Sequence, residues 1–280
     1  MKFYNIINVC QSTDIEAWNV ASKNIVKFID SENYTVIVPK NDLNLFKKNS
    51  PLEYKVLSEE VYTPKFINNL LDKYVKSKTK VGWYIQQFLK FSALEEISDD
   101  KFALIWEADT IPLKKLTFEK NNKTAFYKGN EFHKPYFDHI STLLGLKKNN
   151  NFSYIAQCMP VKGKWFKELI KSIENKNHKN WQDAIIETIN FEEHNAFSDY
   201  EIIGTFVEKN FSNEIEILDN NWERYGKSII GSANNLKYFD KILALKYDFI
   251  SLEKWDKFSF YSFKSFIKVI FNEIKNRYTK

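Results

Sequence analysis

The most informative stretch of the chain is a short apolar run that ends in two carboxylates, Phe102–Thr110 (Phe-Ala-Leu-Ile-Trp-Glu-Ala-Asp-Thr). The apolar part is typical of a β-strand that is buried on both faces. Glu107 and Asp109 follow at its carboxyl end, where open α/β sheets bind their ligands. Side chains two positions apart on an extended chain point the same way, so the two carboxylates would repel each other without a cation. Oxygen ligands favour Mg²⁺ or Mn²⁺, and such an ion can hold a diphosphate.

A second acidic segment, Phe197–Glu201 (Phe-Ser-Asp-Tyr-Glu), precedes a stretch with helical character. One interpretation is a helix start in which Ser198 and Glu201 form a capping box. The other is catalysis, in which a carboxylate of this segment removes the proton of an attacking hydroxyl group. The residues alone leave both interpretations open.

The strongest helical pattern of the chain lies at Lys80–Ile97, directly before the apolar strand. Its apolar residues form a core-facing stripe, whereas Trp83, Gln86, Gln87 and Lys90 lie on another part of the helix. These four side chains are candidates for contact with the sugar or phosphate of a donor, and Lys90 could neutralise a departing diphosphate. The alternative is an ordinary solvated helix face.

Two loops supply weaker candidates. The loop after the first strand touches the nucleotide in many α/β folds, which makes Asn8 and Gln11 candidates for base or ribose contacts. The segment Glu131–His139 is aromatic and polar, as sugar-acceptor sites often are, and here His133 or Asp138 could contact acceptor hydroxyl groups. The alternative for a single loop histidine is a structural or merely exposed side chain.

The elements that would position these residues alternate between strand and helix. The predicted order is a strand at residues 3–9, a helix to about Asp30, strands at Tyr34–Val38 and Pro51–Leu57, and a helix at Pro64–Val75. This is the start of a nucleotide-binding α/β layer. From about Thr124 the pattern is less regular, with short strands and helices and no clear domain boundary.

The C-terminal segment from Trp255 to Lys280 interleaves aromatic residues with lysines. That composition suits a basic amphipathic helix lying on a membrane surface. The alternative is a terminal helix packed on the domain, which is where most amphipathic helices lie.

Composition narrows the class of protein. The 280 residues, 44% of them hydrophobic, are enough for a sizeable core, and no stretch is apolar and long enough to span a bilayer. Seven glycines are few, and neither GxGxxG nor GxxxxGK[ST] occurs, so metal and side chains would have to hold any phosphate. Two distant cysteines fit a reducing cytoplasm and give neither a disulfide framework nor a zinc site. The net charge is +5, and outside the C-terminal segment the basic residues form no concentrated stripe. Nucleic-acid binding is therefore the least favoured of the possible functions.

Three segments together resemble a known family. Their order and spacing resemble those of DUF6492-like bacterial glycosyltransferases, which are in the GT-A fold class. The segments are Gly82-Trp83-Tyr84-Ile85-Gln86-Gln87-Phe88-Leu89-Lys90, the strand end Glu107–Thr110 and Phe197–Glu201. These proteins belong to surface-polysaccharide gene clusters, and the similarity runs over roughly residues 1 to 225. The family usually carries Asp-X-Asp after the strand. Here Glu107 takes the first position, so Asp109 is the preferred direct metal ligand.

The resemblance implies a GT-A-like α/β domain over residues 1–250, with a mixed, mostly parallel sheet flanked by helices. Residues 1–115 would form the nucleotide-sugar half and residues 116–250 the acceptor half, followed by the C-terminal amphipathic helix at 251–280. The resemblance also implies a cytoplasmic, metal-dependent transferase with Mn²⁺ or Mg²⁺ at Asp109 and Glu107. Asp199 is the first choice for the catalytic base and Glu201 the second, because a capping role would occupy the side chain of Glu201.

The implied reaction moves a hexose from a UDP-linked donor to a bacterial surface glycan, such as capsule, O-antigen or lipooligosaccharide. Inversion is expected, because a separate carboxylate is present to act as the base. A lipid-linked acceptor would explain a basic aromatic tail at the inner face of the membrane. The competing hypotheses are another metal-dependent phosphoester enzyme and a carbohydrate-binding protein without catalysis, the latter suggested by 46 aromatic residues.

Overall fold

Strand and helix alternate through the first part of the chain, as the sequence predicts. The computed structural model describes residues 1–62, 78–219 and 221–278, and the helix predicted at Pro64–Val75 lies outside these ranges. The strands of the described residues, in chain order, are β1 (Phe3–Val9), β2 (Ser31–Val38), β3 (Tyr54–Ser58), β4 (Phe102–Trp106), β5 (Thr110–Pro112), β6 (Glu119–Lys120), β7 (Lys123–Tyr127), β8 (Cys158–Lys162), β9 (Ile215–Leu218), β10 (Trp222–Glu223) and β11 (Phe249–Ser251).

The α-helices surround these strands and vary in length. In the described parts of the chain they are α1 (Ile15–Phe28), α2 (Leu43–Asn49), α3 (Lys78–Glu95), α4 (Lys134–Leu144), α5 (Gly163–Asn177), α6 (Trp181–Thr188), α7 (Asp199–Phe211), α8 (Gly226–Ile230), α9 (Leu236–Lys246) and α10 (Phe260–Tyr278).

The largest sheet has five strands in the order β3-β2-β1-β4-β8. All neighbouring strands are parallel except β8, which runs antiparallel to β4. The predicted α/β class with a mixed, mostly parallel sheet flanked by helices is therefore confirmed. Because β1, β2 and β4 are parallel, their carboxyl ends meet at one edge, and the residues after each strand are brought together there.

The strand β4 is the centre of this arrangement. Its residues from Ala103 to Trp106 are fully buried, because helices cover both faces of the sheet and only apolar side chains fit there. Leu104 pairs with Ile6 of β1 on one side and with Pro160 of β8 on the other. The register of the strand fixes where Glu107 and Asp109 leave the sheet.

The structure adds two small sheets, whose strand pairing the sequence did not indicate. One has the order β10-β11-β5 and the other β6-β7-β9. In the first, Thr110 pairs with Ser251, and the backbone N–H of Leu252 donates to the carbonyl of Asp109 at 2.9 Å. The predicted domain boundary between residues 250 and 251 thus falls inside β11. The chain after residue 250 is consequently tied to the segment that carries the two carboxylates.

The predicted C-terminal helix is confirmed as α10, and it is packed on the domain. Phe266 and Ile270 are buried in the core, and the ring of Phe266 stacks on Tyr247 at 6.1 Å. Phe260 and Phe271 remain exposed. Within the described residues, no helix combines the length and the apolar character needed to cross a bilayer. Contact with an anionic membrane surface stays a prediction, which flotation with anionic vesicles would test.

His139 is a buried structural residue of α4. Its side chain is 3% exposed, and its Nε2 lies 3.0 Å from the hydroxyl of Thr188 on α6. Burial lowers the pKa of His139 to about 4, because a charged imidazolium would lose its hydration in this environment. The ring is therefore neutral at pH 7 and joins two helices.

We expect this histidine to make folding pH-dependent. Its pKa is near 6.5 when unfolded and about 4 when folded, so the unfolded chain takes up the proton first as the pH falls. The contribution of this histidine to the free energy of unfolding is fully present above pH 6.5 and falls towards pH 4, by up to roughly 3 kcal/mol. Urea unfolding of wild type and His139→Gln at several pH values measures this. The difference between the two curves should shrink as the pH falls, and parallel curves would contradict the assignment.

Candidate active site

The carboxyl ends of β1, β2 and β4 open into one cavity of about 700 Å³. Residues from α3, from the start of α7 and from the segments around Glu131 and Glu253 add to its lining. The cavity is large enough for a drug-sized ligand and lies where an open α/β sheet is expected to bind one. The residues that the sequence singled out and that line this cavity are Gln11, Trp83, Gln86, Gln87, Lys90, Glu107, Asp109 and Asp199.

A tight turn presents the two carboxylates after β4. The indole N–H of Trp106 donates to the carbonyl of Thr110 at 2.7 Å, and the N–H of Thr110 donates to the carbonyl of Glu107 at 3.1 Å. On the other side, the N–H of Glu107 donates to the carbonyl of Gln157 at 2.9 Å. These bonds fix the backbone of the turn, so Glu107 and Asp109 are held on a rigid element.

The negative charge of the Asp109 carboxylate is poorly compensated by the groups around it. Its Oδ1 lies 3.3 Å from each of two hydroxyl groups, those of Ser251 and Thr110. Burial raises the pKa of Asp109 to about 8, and the charges of Glu253 and Glu107 add to the effect. Because neutral hydroxyl groups cannot balance this charge, the arrangement is one that a bound cation would stabilise.

Lys90 joins two of the acidic residues at the floor of the cavity. It forms an ion pair with Glu107, and its Nζ lies 3.1 Å from Oδ2 of Asp199. The lysine is 1% exposed, so it is not part of a solvated helix face. Burial alone would lower the pKa of Lys90, but the carboxylates of Asp199 and Glu107 raise it above its ordinary value. The ammonium group is therefore charged at neutral pH.

Asp199 begins α7 and is 3% exposed. Its backbone N–H donates to Oε1 of Gln87 at 2.7 Å, and its Oδ1 accepts from the N–H of Tyr200 at 2.8 Å. Burial raises the pKa of Asp199, with Lys90 acting against it. This carboxylate is a stronger base than an ordinary aspartate and lies on the cavity wall.

Glu201, the second candidate for a base, is buried away from the cavity. Its Oε1 accepts from the hydroxyl of Ser153 at 2.6 Å and from the N–H of Tyr154 at 3.0 Å, and its Oε2 accepts from Lys148 at 2.9 Å. The N–H of Glu201 donates to the Ser198 hydroxyl at 3.3 Å, which is the Ser half of the capping box. Its carboxylate thus anchors the loop that contains Ser153 and Tyr154.

Asn8 is fully buried inside the sheet and does not line the cavity. Its amide donates to the carbonyl of Trp106 at 2.7 Å, and its Oδ1 accepts from the hydroxyl of Tyr54 at 3.0 Å. Both polar ends of the side chain are therefore used to hold β1, β3 and β4 together, and Gln11 is the predicted residue of this loop that reaches the cavity.

The two predicted acceptor contacts also lie outside the cavity lining. The ring of His133 contacts the backbone carbonyl of His194. Asp138 is exposed and pairs with Lys134 one turn earlier on α4. Neighbours in the same segment, Glu131 and Tyr136, do line the cavity.

Several cavity residues were missed from the sequence, and Arg224 is the clearest. Its guanidinium pairs with Glu131, and its Nε lies 3.0 Å from Oε1 of Glu253. The ring of Trp255 lies 5.9 Å from the guanidinium carbon. One signal was present in the composition: of 41 basic residues only Arg224 and Arg277 are arginines. In a chain that otherwise uses lysine, an arginine indicates a need for its planar group.

The chain belongs to the family described as "Family of unknown function (DUF6492)", whose model matches residues 6–262. The family expected from the three sequence segments is thereby confirmed. No curated protein matches the chain.

Several solved structures with a similar course of the chain are glycosyltransferases. Mouse xyloside xylosyltransferase 1 in its apo form is 9% identical, with 90% of this chain and 98% of that chain covered and a TM-score of 0.49. The galactosyltransferase LgtC in complex with donor and acceptor sugar analogues is 9% identical, with 90% and 88% covered and a TM-score of 0.46. The apo glycosyltransferase GlyE of Streptococcus pneumoniae TIGR4 is 12% identical, with 100% and 65% covered and a TM-score of 0.46. At this similarity the alignments carry no conclusion about the reaction or substrate of this chain.

Proposed function

We propose that the protein is a metal-dependent glycosyltransferase that moves a hexose from a UDP-linked donor to a glycan acceptor. The observation that carries the proposal is the cavity at the strand ends, which combines the uncompensated Asp109 with the Lys90–Asp199 pair. The family resemblance makes a bacterial surface glycan the proposed acceptor. The nucleotide would lie against the ends of β1 and β2, where Gln11 lines the cavity.

Asp109 and Glu107 fit a hard divalent cation such as Mn²⁺ or Mg²⁺. In proteins Mg²⁺ is usually held by one or two carboxylates together with substrate phosphates, not by a closed cage of protein ligands. The described residues contain no group of three or more His, Cys, Asp or Glu arranged to hold a metal, so the phosphates of the donor would have to complete the coordination. Asp109 is the main ligand in this proposal, since Lys90 already takes up part of the charge of Glu107. The cation would supply charge stabilisation to the diphosphate as it leaves.

Asp199 is the proposed base. The acceptor hydroxyl would give its proton to the Asp199 carboxylate while its oxygen bonds to the anomeric carbon of the donor sugar. The bond between that carbon and the diphosphate oxygen would break, and the nucleoside diphosphate would leave with the electron pair. Lys90 holds Asp199 in place and its charge lies close to the reaction. A single displacement of this kind inverts the anomeric configuration, which proton NMR of the product reads directly.

The test is nucleotide release from a panel of UDP-, GDP- and CMP-sugars, with Mn²⁺, with Mg²⁺ and with EDTA. We expect slow release from one donor class in the presence of metal, through transfer to water when no acceptor is present. Asp99→Asn, an exposed aspartate that pairs with Lys167 at the surface, serves as the control substitution. Phosphate release from simple esters without nucleotide preference would favour a phosphoester hydrolase. Glycan binding in EDTA without any use of nucleotides would favour a carbohydrate-binding protein.

A further inference from the structure

We infer that one wall of the cavity is an acceptor subsite that takes an uncharged pyranose stacked on Trp255. The inference rests on the proposed function and adds the place and chemical class of the acceptor. The acceptor wall consists of Trp83, Glu131, Tyr136, Arg224 and Trp255, all of which line the cavity.

The acceptor wall is a continuous series of contacts. The rings of Trp83 and Tyr136 stack at 6.1 Å with 8° between their planes. The hydroxyl of Tyr136 donates to Oε1 of Glu131 at 3.5 Å, and Glu131 pairs with Arg224. Arg224 in turn lies against Trp255. Aromatic surface at both ends with polar groups between them is what the apolar faces and hydroxyl groups of a sugar require.

Trp255 is the exposed end of this wall. Its side chain is 56% exposed, although it has the largest apolar surface of any residue type. Contacts with Arg224 and with the ring of Tyr225, at 5.5 Å and 75°, fix its position. A preordered, exposed indole on a cavity lining is available to stack on a ligand at little entropic cost.

The charges of the wall favour a neutral sugar. Both Glu131 and Glu253 already contact Arg224, so this guanidinium is neutralised and is not a free anion site. The cavity lining as a whole has seven acidic and three basic side chains. Lys254 is the basic residue closest in sequence to Trp255, and it is exposed, where solvent screens its charge. A uronic acid or a phosphorylated sugar would therefore be repelled at this subsite.

The wall is also close to the proposed reaction centre. Gln87 links the wall to the proposed base, because its Nε2 donates to the carbonyl of Trp83 at 3.1 Å and its Oε1 accepts from the N–H of Asp199 at 2.7 Å. At the other end, Glu253 contacts Arg224 at 3.0 Å, and the N–H of the preceding residue, Leu252, donates to the carbonyl of Asp109 at 2.9 Å. A sugar held on the wall would therefore have hydroxyl groups within the region between Asp199 and Asp109.

Saturation-transfer difference NMR on the full chain tests this subsite. The probes are methyl β-glucopyranoside, methyl β-galactopyranoside and methyl β-glucuronide, each with and without UDP and Mn²⁺. We expect signals from the ring protons of at least one neutral glycoside, a loss of about tenfold or more in Trp255→Ala, and substantial retention in Trp255→Phe. Phe258→Ala is the matched control, because Phe258 is similarly exposed at 55% but does not line the cavity.

Three results would overturn the inference: no binding of neutral glycosides to wild type, equal binding to Trp255→Ala, or preferential binding of the glucuronide. The thermal shift produced by UDP and Mn²⁺ is measured on the same variants. Trp255→Ala should keep that shift, so loss of glycoside binding with nucleotide binding intact supports the subsite. Absence of nucleotide binding in wild type would instead count against the proposed function itself.

Discussion

Asp109→Asn is expected to abolish sugar transfer, with a decrease of at least about 10³-fold, because the proposed metal anchor at the diphosphate is lost. The fold should survive. The Asp109 carboxylate is crowded by Glu253 and Glu107, and within the described part of the chain its polar partners are two hydroxyl groups at 3.3 Å. Asparagine cannot take on the charge that burial and the neighbouring carboxylates disfavour, so the metal-free variant should melt at the same temperature as wild type or above it.

The measurement is nucleotide release together with a thermal melt, and Asp99→Asn is the matched control at the surface. A variant that melts normally but still turns over the donor in a metal-dependent way would contradict the role of Asp109. A variant that unfolds would contradict the claim that the charge of Asp109 is unfavourable for the fold when no metal is bound.

Lys90→Met is expected to cost roughly 3–5 kcal/mol of unfolding free energy, because it leaves Asp199 and Glu107 without their buried counter-charge. Lys167→Met is the comparison, since Lys167 pairs with Asp99 at the surface. That exposed pair should contribute no more than about 1 kcal/mol. Urea unfolding at pH 7 measures both variants.

A double variant shows whether the cost comes from the pair itself. Asp199→Asn removes one of the two charges that Lys90 balances, so Lys90→Met combined with Asp199→Asn should lose less than the sum of the single losses. A coupling of about 1–3 kcal/mol is expected for residues in direct contact. Additive losses, or a Lys90→Met as stable as Lys167→Met, would contradict a shared buried network.

The sequence identified the strand β4 and its carboxylates because that signal is local. A buried run followed by Glu107 and Asp109 can be recognised without knowing any neighbour. The α/β class followed in the same way from alternating strand and helix patterns. Local signals also placed Gln87 and Lys90 on the helix before the strand, but their burial depends on how α3 packs on the sheet, which the periodicity alone left open.

The choice between Asp199 and Glu201 depends on distant partners. Nothing near Glu201 in the sequence shows that Lys148 and Ser153 will hold its carboxylate. Arg224 and Trp255 reach the cavity only because β11 pairs with β5, a contact between residues about 140 positions apart. Such long-range pairings between short strands have no sequence signature of their own, so this part of the cavity wall could not be predicted.

The most direct test of the central claim is the melting temperature with UDP, measured with Mn²⁺ and with EDTA, for wild type and Asp109→Asn. A ligand that binds the native state raises the melting temperature by mass action. The proposed site predicts a rise for wild type with UDP and Mn²⁺ together, little or none in EDTA, and none for Asp109→Asn. An equal rise in EDTA or in Asp109→Asn, or no rise for wild type, would contradict a metal-held diphosphate at this carboxylate.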